Sequence, residues 1–122
     1  MKHPTFNWLA VAIYTGVIAW MSMSSTLPSM TPHFFEGEDK LAHVGMYGLH
    51  AILLVRAIRM HTRPTAAGWS AFLLSSLYGV AMEFAQDAWS AGTRAFSTGD
   101  MLANAIGAAA GIIAFRFMLR KD

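Results

Sequence analysis

The feature that most constrains the fold of this chain is a series of four long apolar stretches. They cover about residues 6–27, 41–58, 66–86 and 101–119 of the 122-residue sequence. Each is close to the roughly 20 residues that an α-helix needs to cross about 30 Å of hydrocarbon. None alternates apolar and polar residues with the period of two that is typical of membrane β-barrels. The sequence therefore predicts an all-α fold: one domain over residues 1–122, built as a four-helix transmembrane bundle.

The composition supports a lipid-covered surface. Hydrophobic residues make up 55% of the chain and charged residues only 13%, against about 25% charged residues in soluble domains. The absence of cysteine excludes disulfides and thiolate metal sites. The first apolar run is longer than that of a signal peptide and no A-x-A cleavage site follows it, so we expect it to stay as a helix.

The distribution of basic residues predicts the orientation of the bundle. Of the nine Lys and Arg residues, Lys40 and Arg94 lie in the first and third loops, and the other seven lie at the termini or near the second loop. Basic residues concentrate on the cytoplasmic side of membrane proteins. We therefore expect both termini in the cytoplasm and the first and third loops on the outer face. In a bacterial host, this places the chain in the inner (cytoplasmic) membrane.

Three of the helices carry polar stripes near the ends that are predicted to face outward. At about 100° per residue, each stripe occupies one face of its helix. Its members are Asp39, His43, Tyr47 and His50 on the second helix, Ser76, Gly79, Glu83, Gln86 and Asp87 on the third, and Asp100, Asn104, Gly107 and Gly111 on the fourth. Because a charge at a helix centre costs about 2.5–3.5 kcal/mol on insertion scales, the stripes should face one another.

The sequence thus predicts a polar pocket that opens to the outer face. Its predicted lining is Asp39, His43, Tyr47, Glu83, Gln86, Arg94, Asp100 and Asn104. His43 and Glu83 are candidate general acids or bases, and Asp39, one turn before His43, could orient its ring. The candidate substrate-binding residues are Arg94, as an anion clamp, with Asp100, Asn104, Tyr47, Gln86 and the interfacial Lys40.

Simpler roles exist for the same residues. Asp39 and Asp100 could serve only as helix N-caps, where the helix dipole favours an acid. His50 could be a hydrogen-bonded core histidine, and Glu83 could form a structural ion pair with Arg94. These roles and the chemical ones remain open at this point.

A metal site is the weaker alternative. The available oxygen and nitrogen ligands would be Asp39, His43, Glu83 and Asp100. Their spacing has no recognised zinc signature, and the neighbouring Lys40 and Arg94 would repel a cation. We expect neither a metal nor a cofactor.

The ordered polar residues resemble the VanZ-like family of membrane proteins. The resemblance is carried by Asp39-Lys40-x-x-His43-x-x-x-Tyr47, Glu83-x-x-Gln86 and Arg94-x-x-x-x-x-Asp100-x-x-x-Asn104-x-x-Gly107-x-x-x-Gly111. It covers roughly residues 39–111 and no motif position departs from it. The family's namesake is an accessory factor for resistance to the glycopeptide teicoplanin. The resemblance therefore implies a place in the bacterial cell envelope and a lipid-linked cell-wall substrate.

Three functions fit these features. The chain could be an enzyme that hydrolyses or transfers a phosphate or glycosidic bond of an envelope lipid or lipid-linked sugar. It could instead be a non-catalytic binder of such a lipid or of an antibiotic. It could also be a scaffold that forms homo-oligomers through Gly107 and Gly111. The number of titratable groups favours the enzyme. No nucleic-acid partner is expected, because the basic residues are not interleaved with aromatic ones.

Overall fold

The computed structural model describes residues 4–23, 38–89 and 98–120. These residues form four helices: α1 (Pro4–Met23), α2 (Glu38–Ile58), α3 (Pro64–Trp89) and α4 (Thr98–Arg120). The described chain is therefore all-helical, as predicted. Each helix begins two or three residues before the apolar stretch predicted for it. The reason is local, because proline at the first helical position and an acid in the first turn, such as Asp100, favour helix starts.

Three helices are long and apolar enough to cross a membrane. They are Pro4–Met23, Lys40–Ile58 and Thr98–Leu119, with mean hydropathies of 1.4, 1.5 and 1.7. The chain is thus compatible with a multi-pass membrane protein. With 26 residues α3 is the longest helix, but its serines and acidic residues lower its hydropathy and it is not among the three. A fourth span stays a prediction.

The burial pattern differs from that in a soluble protein. The core contains many small side chains, among them Ala51, Ala67, Ala71 and Ala108. Many large apolar side chains point outward. On α3 they form a stripe of exposed residues, which are Trp69, Leu73, Leu77 and Phe84. Small residues inside and large apolar residues outside are what a lipid environment favours, because lipid solvates the large side chains and small ones let helices approach closely.

The most extensive helix contact joins α2 and α4, and glycines make it possible. A methyl group added to Gly107 would lie 2.8 Å from the Cα atom of Val44, and one added to Gly111 would lie 2.9 Å from the Cα atom of Gly48. Only glycine fits at such distances. The two glycines of α4 thus pack against a helix of the same chain, and the predicted homo-oligomer stays a prediction.

The remaining helices complete the bundle around this pair. α3 packs against both α2 and α4, while α1 lies on the side formed by α2 and α3. The start of α4 and the start of α2 lie at the same end of the bundle, because Lys40 and Asp100 are in contact there. The opposite end brings together the end of α2, the start of α3 and the end of α4.

Candidate functional site

Four polar residues of α2 and α4 form a connected chain at one end of the bundle. Lys40 Nζ donates a hydrogen bond to Asp100 Oδ1 at 3.2 Å. The other carboxylate oxygen of Asp100 lies 3.8 Å from His43 Nε2, and His43 Nδ1 lies 2.8 Å from Asn104 Oδ1. We call Lys40, His43, Asp100 and Asn104 the Asp100 cluster. The stripes of these two helices therefore meet, as their predicted orientation requires.

The Asp100 cluster runs from the surface into the core. The side chain of Lys40 is 49% exposed, those of His43 and Asp100 are each 14% exposed, and Asn104 is 1% exposed. The close approach of the backbones at Gly107 and Val44, just below, brings the side chains of the two helices within hydrogen-bonding reach. Lys40 thus supplies a positive charge at the exposed end of the cluster, which we call its rim. The other three side chains are largely buried.

The hydrogen bond to Asn104 fixes the orientation of the His43 ring. A carboxamide oxygen only accepts hydrogen bonds, so His43 donates from Nδ1 to Asn104 Oδ1. Nε2 then faces the carboxylate of Asp100. The 3.8 Å between Nε2 and this carboxylate is longer than a hydrogen bond, so Asn104 is the partner that orients the ring.

Asn104 holds its position because α3 leaves room for it. A methyl group added to Gly79 would lie 2.7 Å from Asn104 Nδ2 and 3.0 Å from its Cβ atom. Gly79 belongs to the predicted polar stripe of α3, and its contribution is the space that it leaves. Three helices therefore contribute to the position of the His43 ring: α2 carries it, α4 supplies its partners, and α3 accommodates Asn104.

The two other predicted site residues of α3 are buried. Glu83 is 3% exposed, so its carboxylate lies away from bulk water, where a charge is costly unless it is paired. Gln86 is also buried, and its Nε2 atom donates to the backbone carbonyl of Ser22 on α1 at 2.7 Å. The structure thus directs Gln86 towards the end of α1, and not into the predicted pocket between the other three helices.

Tyr47 separates the Asp100 cluster from a second polar layer deeper in the bundle. It is buried, its ring stacks on that of His43 at 6.4 Å, and the ring of His50 meets it edge-on at 6.0 Å. His50 is 2.9 Å from Ser75 Oγ on α3 and 3.0 Å from Thr15 Oγ1 on α1. Both ring nitrogens of His50 are therefore engaged, which matches the role of a hydrogen-bonded core histidine.

Sequence reasoning missed the part that α1 plays in this second layer. Tyr14 on α1 donates to the carbonyl oxygen of Met46 at 3.0 Å, and Tyr78 on α3 donates to that of Thr15 at 2.8 Å. A signal was present in the spacing of the polar residues of α1. Asn7, Thr15 and Ser22 follow one another at intervals of eight and seven residues, and this places them on one helix face.

Several predicted features of the site depend on residues outside the described ones. Arg94 and the side chain of Asp39 lie outside them, so the anion clamp and the Asp39–His43 pair stay predictions, as does the outward pocket. Within the described helices, no group of three or more His, Cys, Asp or Glu residues is arranged to hold a metal ion. Two clefts, of about 480 and 340 Å³, lie at the opposite end of the bundle.

Comparison with known proteins identifies no relative of this chain. No protein-family model, curated protein or solved structure matches this chain. The resemblance to the VanZ-like family stays a prediction, and the function is inferred from the geometry of the Asp100 cluster and its surroundings.

Proposed function

We propose that this chain is a VanZ-like protein of the bacterial inner membrane, with four spanning helices and both termini in the cytoplasm. The bias of basic residues supports this orientation. The exposed apolar stripe of α3, with Trp69 and Leu77 as examples, supports a fourth span. Since the sequence has no cysteine, single cysteines introduced one at a time would report topology. We expect a cysteine at His61 to react with a membrane-impermeant maleimide only after the cells are opened.

We further propose that the Asp100 cluster acts on the polar head of an envelope lipid or a lipid-linked cell-wall precursor. The observation that carries this proposal is the row of neighbouring polar groups from the exposed Lys40 through Asp100 and His43 to the buried Asn104. Two of its three contacts are hydrogen bonds, and Asp100 and His43 are 3.8 Å apart. Ionisable side chains inside membrane helices are rare and usually functional, because their transfer into lipid is costly.

The proposed chemistry uses His43 as the acid–base group. Nε2 takes a proton from an attacking water or hydroxyl as the new bond to phosphorus or to the sugar carbon forms. The proton then returns to the leaving oxygen as the old bond breaks. Asp100 stabilises the positively charged ring between the two steps, and Asn104 keeps Nδ1 as the donor. Lys40 at the rim binds a negative group of the substrate.

Four other residues contribute to the proposed site. Glu83 is a second candidate acid or base, buried on the neighbouring helix. Asp39 is a further carboxylate for His43, and Arg94 grips a phosphate. Tyr47, which stacks on the His43 ring, limits how far the ring can move.

The alternative is a non-catalytic protein that binds the same lipid, or an antibiotic, and presents or sequesters it. One observation favours this alternative. Both ring nitrogens of His43 face polar partners and its side chain is only 14% exposed, so the ring must turn or shift before it can meet a substrate proton. A binder has no such requirement.

Turnover by the full chain in lipid nanodiscs distinguishes the two functions. We expect hydrolysis or transfer on at least one member of a panel of phospholipids and undecaprenyl-linked precursors, measured by thin-layer chromatography and phosphorus NMR. His43→Gln should abolish turnover without lowering the melting temperature, while His61→Gln, the same change at the exposed opposite end, should leave it intact. Saturable binding of a panel member without turnover would establish the alternative. The absence of both binding and turnover would reject the site.

Resistance provides the corresponding test in cells. We expect expression in a susceptible host to raise the minimal inhibitory concentration of teicoplanin, and His43→Gln to remove that effect at equal protein level. If the wild type and His43→Gln raise the minimal inhibitory concentration equally, resistance does not depend on the Asp100 cluster.

A further inference from the structure

A groove between α3 and α4 lies at the end of the bundle opposite the Asp100 cluster. It consists of two adjoining clefts, of about 480 and 340 Å³, that share Gly68, Ile112, Ile113 and Arg116. The larger cleft extends to Arg59, just beyond the end of α2. We call this feature the Gly68 groove. It goes beyond the proposed function, because no residue of the Asp100 cluster contributes to it.

Two arginine side chains line the Gly68 groove. Arg59 and Arg116 both line it and both are exposed. The guanidinium carbon of Arg59 lies 5.6 Å from the centroid of the Phe115 ring, a cation–π contact that limits its freedom. Two positive charges at one groove favour a ligand with a negative charge, and guanidinium pairs with phosphate through parallel hydrogen bonds.

No described carboxylate competes for these two arginines. The Asp and Glu residues of the described helices lie at the other end: at the start of α2, near the end of α3 and at the start of α4. Along α4, the 16 residue steps from Asp100 to Arg116 correspond to about 24 Å at 1.5 Å per residue. The carboxylates of the described helices therefore lie far from the end of the bundle that carries the two arginines.

The rest of the Gly68 groove is apolar. A methyl group added to Gly68 would have a single neighbour within 4 Å, the Cγ2 atom of Ile112 at 3.6 Å. The missing side chain thus leaves a channel between the two helices. Trp69 and Ile113 are largely exposed beside it, as expected of side chains that face lipid near a membrane interface. The groove therefore combines a cationic end with an apolar continuation towards the middle of the helices.

We propose that the Gly68 groove binds an anionic phospholipid. The phosphate lies between Arg59 and Arg116, and one acyl chain runs over Gly68 against Ile112. Charge and shape both select this occupant. Basic pockets between membrane helices bind anionic head groups through lysine and arginine, each worth about 1 kcal/mol near the surface. A zwitterionic lipid brings its own cation towards the two arginines, and a soluble phosphate leaves the apolar part of the groove unused.

Native mass spectrometry of the full chain tests this proposal. The detergent-solubilised protein is mixed with equal amounts of phosphatidylglycerol and phosphatidylcholine that have identical acyl chains. We expect preferential retention of one phosphatidylglycerol. Arg59→Gln and Arg116→Gln should each reduce its retention about fivefold, and the double variant should reduce it further. Arg63→Gln removes the same charge from the same end without lining the groove, and should change retention by less than twofold.

A second pair of variants tests the acyl-chain part of the site. Gly68→Leu fills the groove and keeps both arginines, so we expect it to reduce phosphatidylglycerol retention at least threefold. Gly16→Leu is the matched control, because nothing lies within 4 Å of a methyl group at that position. Equal retention of the two lipids by the wild type, an equal effect of Arg63→Gln, or no effect of Gly68→Leu would overturn the proposal. Complete displacement of the lipid by an equal concentration of glycerol phosphate would also overturn the proposal, because the groove would then be a site for soluble anions.

Discussion

Two helix contacts of this bundle are built in opposite ways. The α2–α4 contact depends on the absence of side chains, since Gly48, Gly107 and Gly111 bring the two backbones together. The attachment of α1 depends on polar side chains that reach across to α2 and α3. Of the four buried residues of α1, two are polar, Asn7 and Ser22.

The polar bonds of α1 extend along most of its length. Near its start, Arg56 Nη2 donates to Asn7 Oδ1 at 3.2 Å, and Trp8 Nε1 donates to His61 Nε2 at 2.9 Å. Further along, Thr15 meets His50, and the bond from Gln86 to the carbonyl of Ser22 follows near the end. No stretch of α1 approaches another helix through glycine, since its single glycine, Gly16, has open space around it.

The difference shows how helices associate where the hydrophobic effect is weak. Lipid solvates an apolar side chain as well as another helix does, so association depends on close packing and on interhelical hydrogen bonds. Close packing is sensitive to a single added carbon. Hydrogen bonds of this kind average about 0.6 kcal/mol each, so their loss is graded. Substitutions in the two contacts should therefore differ in size and also in pattern.

The largest effect is expected from Gly111→Ala. The added methyl group meets the backbone of Gly48, including its carbonyl oxygen, and backbone atoms cannot turn away as a flexible side chain can. We expect a loss of about 3 kcal/mol in the free energy of unfolding, at the upper end of overpacking costs. Reversible unfolding in mixed micelles of increasing SDS fraction, followed by circular dichroism, measures this loss.

Gly45→Ala is the control on the facing helix. Nothing lies within 4 Å of a methyl group at Gly45, and alanine is the better helix former by about 1 kcal/mol. The same substitution should therefore stabilise the protein slightly at Gly45 and destabilise it at Gly111. A gain in stability at both positions would show that the backbones of α2 and α4 are not in close contact.

A smaller effect is expected from His50→Leu, which removes two bonds of α1 and α3 to α2. With the bonds to Thr15 and Ser75 lost, we expect about 1–2 kcal/mol. A double-mutant cycle with Thr15→Val isolates the α1 bond, and its coupling energy should be near 0.6 kcal/mol. A coupling of zero would mean that Thr15 and His50 are close without stabilising each other.

These contacts also show what the sequence could predict. Periodicity placed His43, Asp100 and Asn104 on inward faces, and the structure brings these three together. Periodicity could not show that Gln86 turns towards α1, because a polar stripe defines one face of a helix and not the neighbouring helix that covers that face. Hydropathy did not indicate Thr15, since one hydroxyl hardly changes the mean of a 20-residue helix; only its spacing from Asn7 and Ser22 did.

The smallest effect is expected at the rim of the Asp100 cluster, from Lys40→Gln. Lys40 Nζ and Asp100 Oδ1 are 3.2 Å apart, but the lysine side chain is 49% exposed. Exposed ion pairs contribute about 0–1 kcal/mol, because water screens the charges and the long side chain loses freedom. We therefore expect less than 0.5 kcal/mol, and a smaller difference still in 1 M salt, where screening acts within about 3 Å.

That small stability effect makes Lys40→Gln a useful probe of function. If Lys40 binds a negative group of the substrate, the variant should weaken substrate binding while the unfolding curve stays almost unchanged. Gly111→Ala should show the opposite order, with stability lost first and activity lost only as the bundle opens. A Lys40→Gln variant that unfolds as easily as His50→Leu would place the rim of the cluster inside the structural core, and the polar chain from Lys40 to Asn104 would then be a helix contact of the same kind as those of α1.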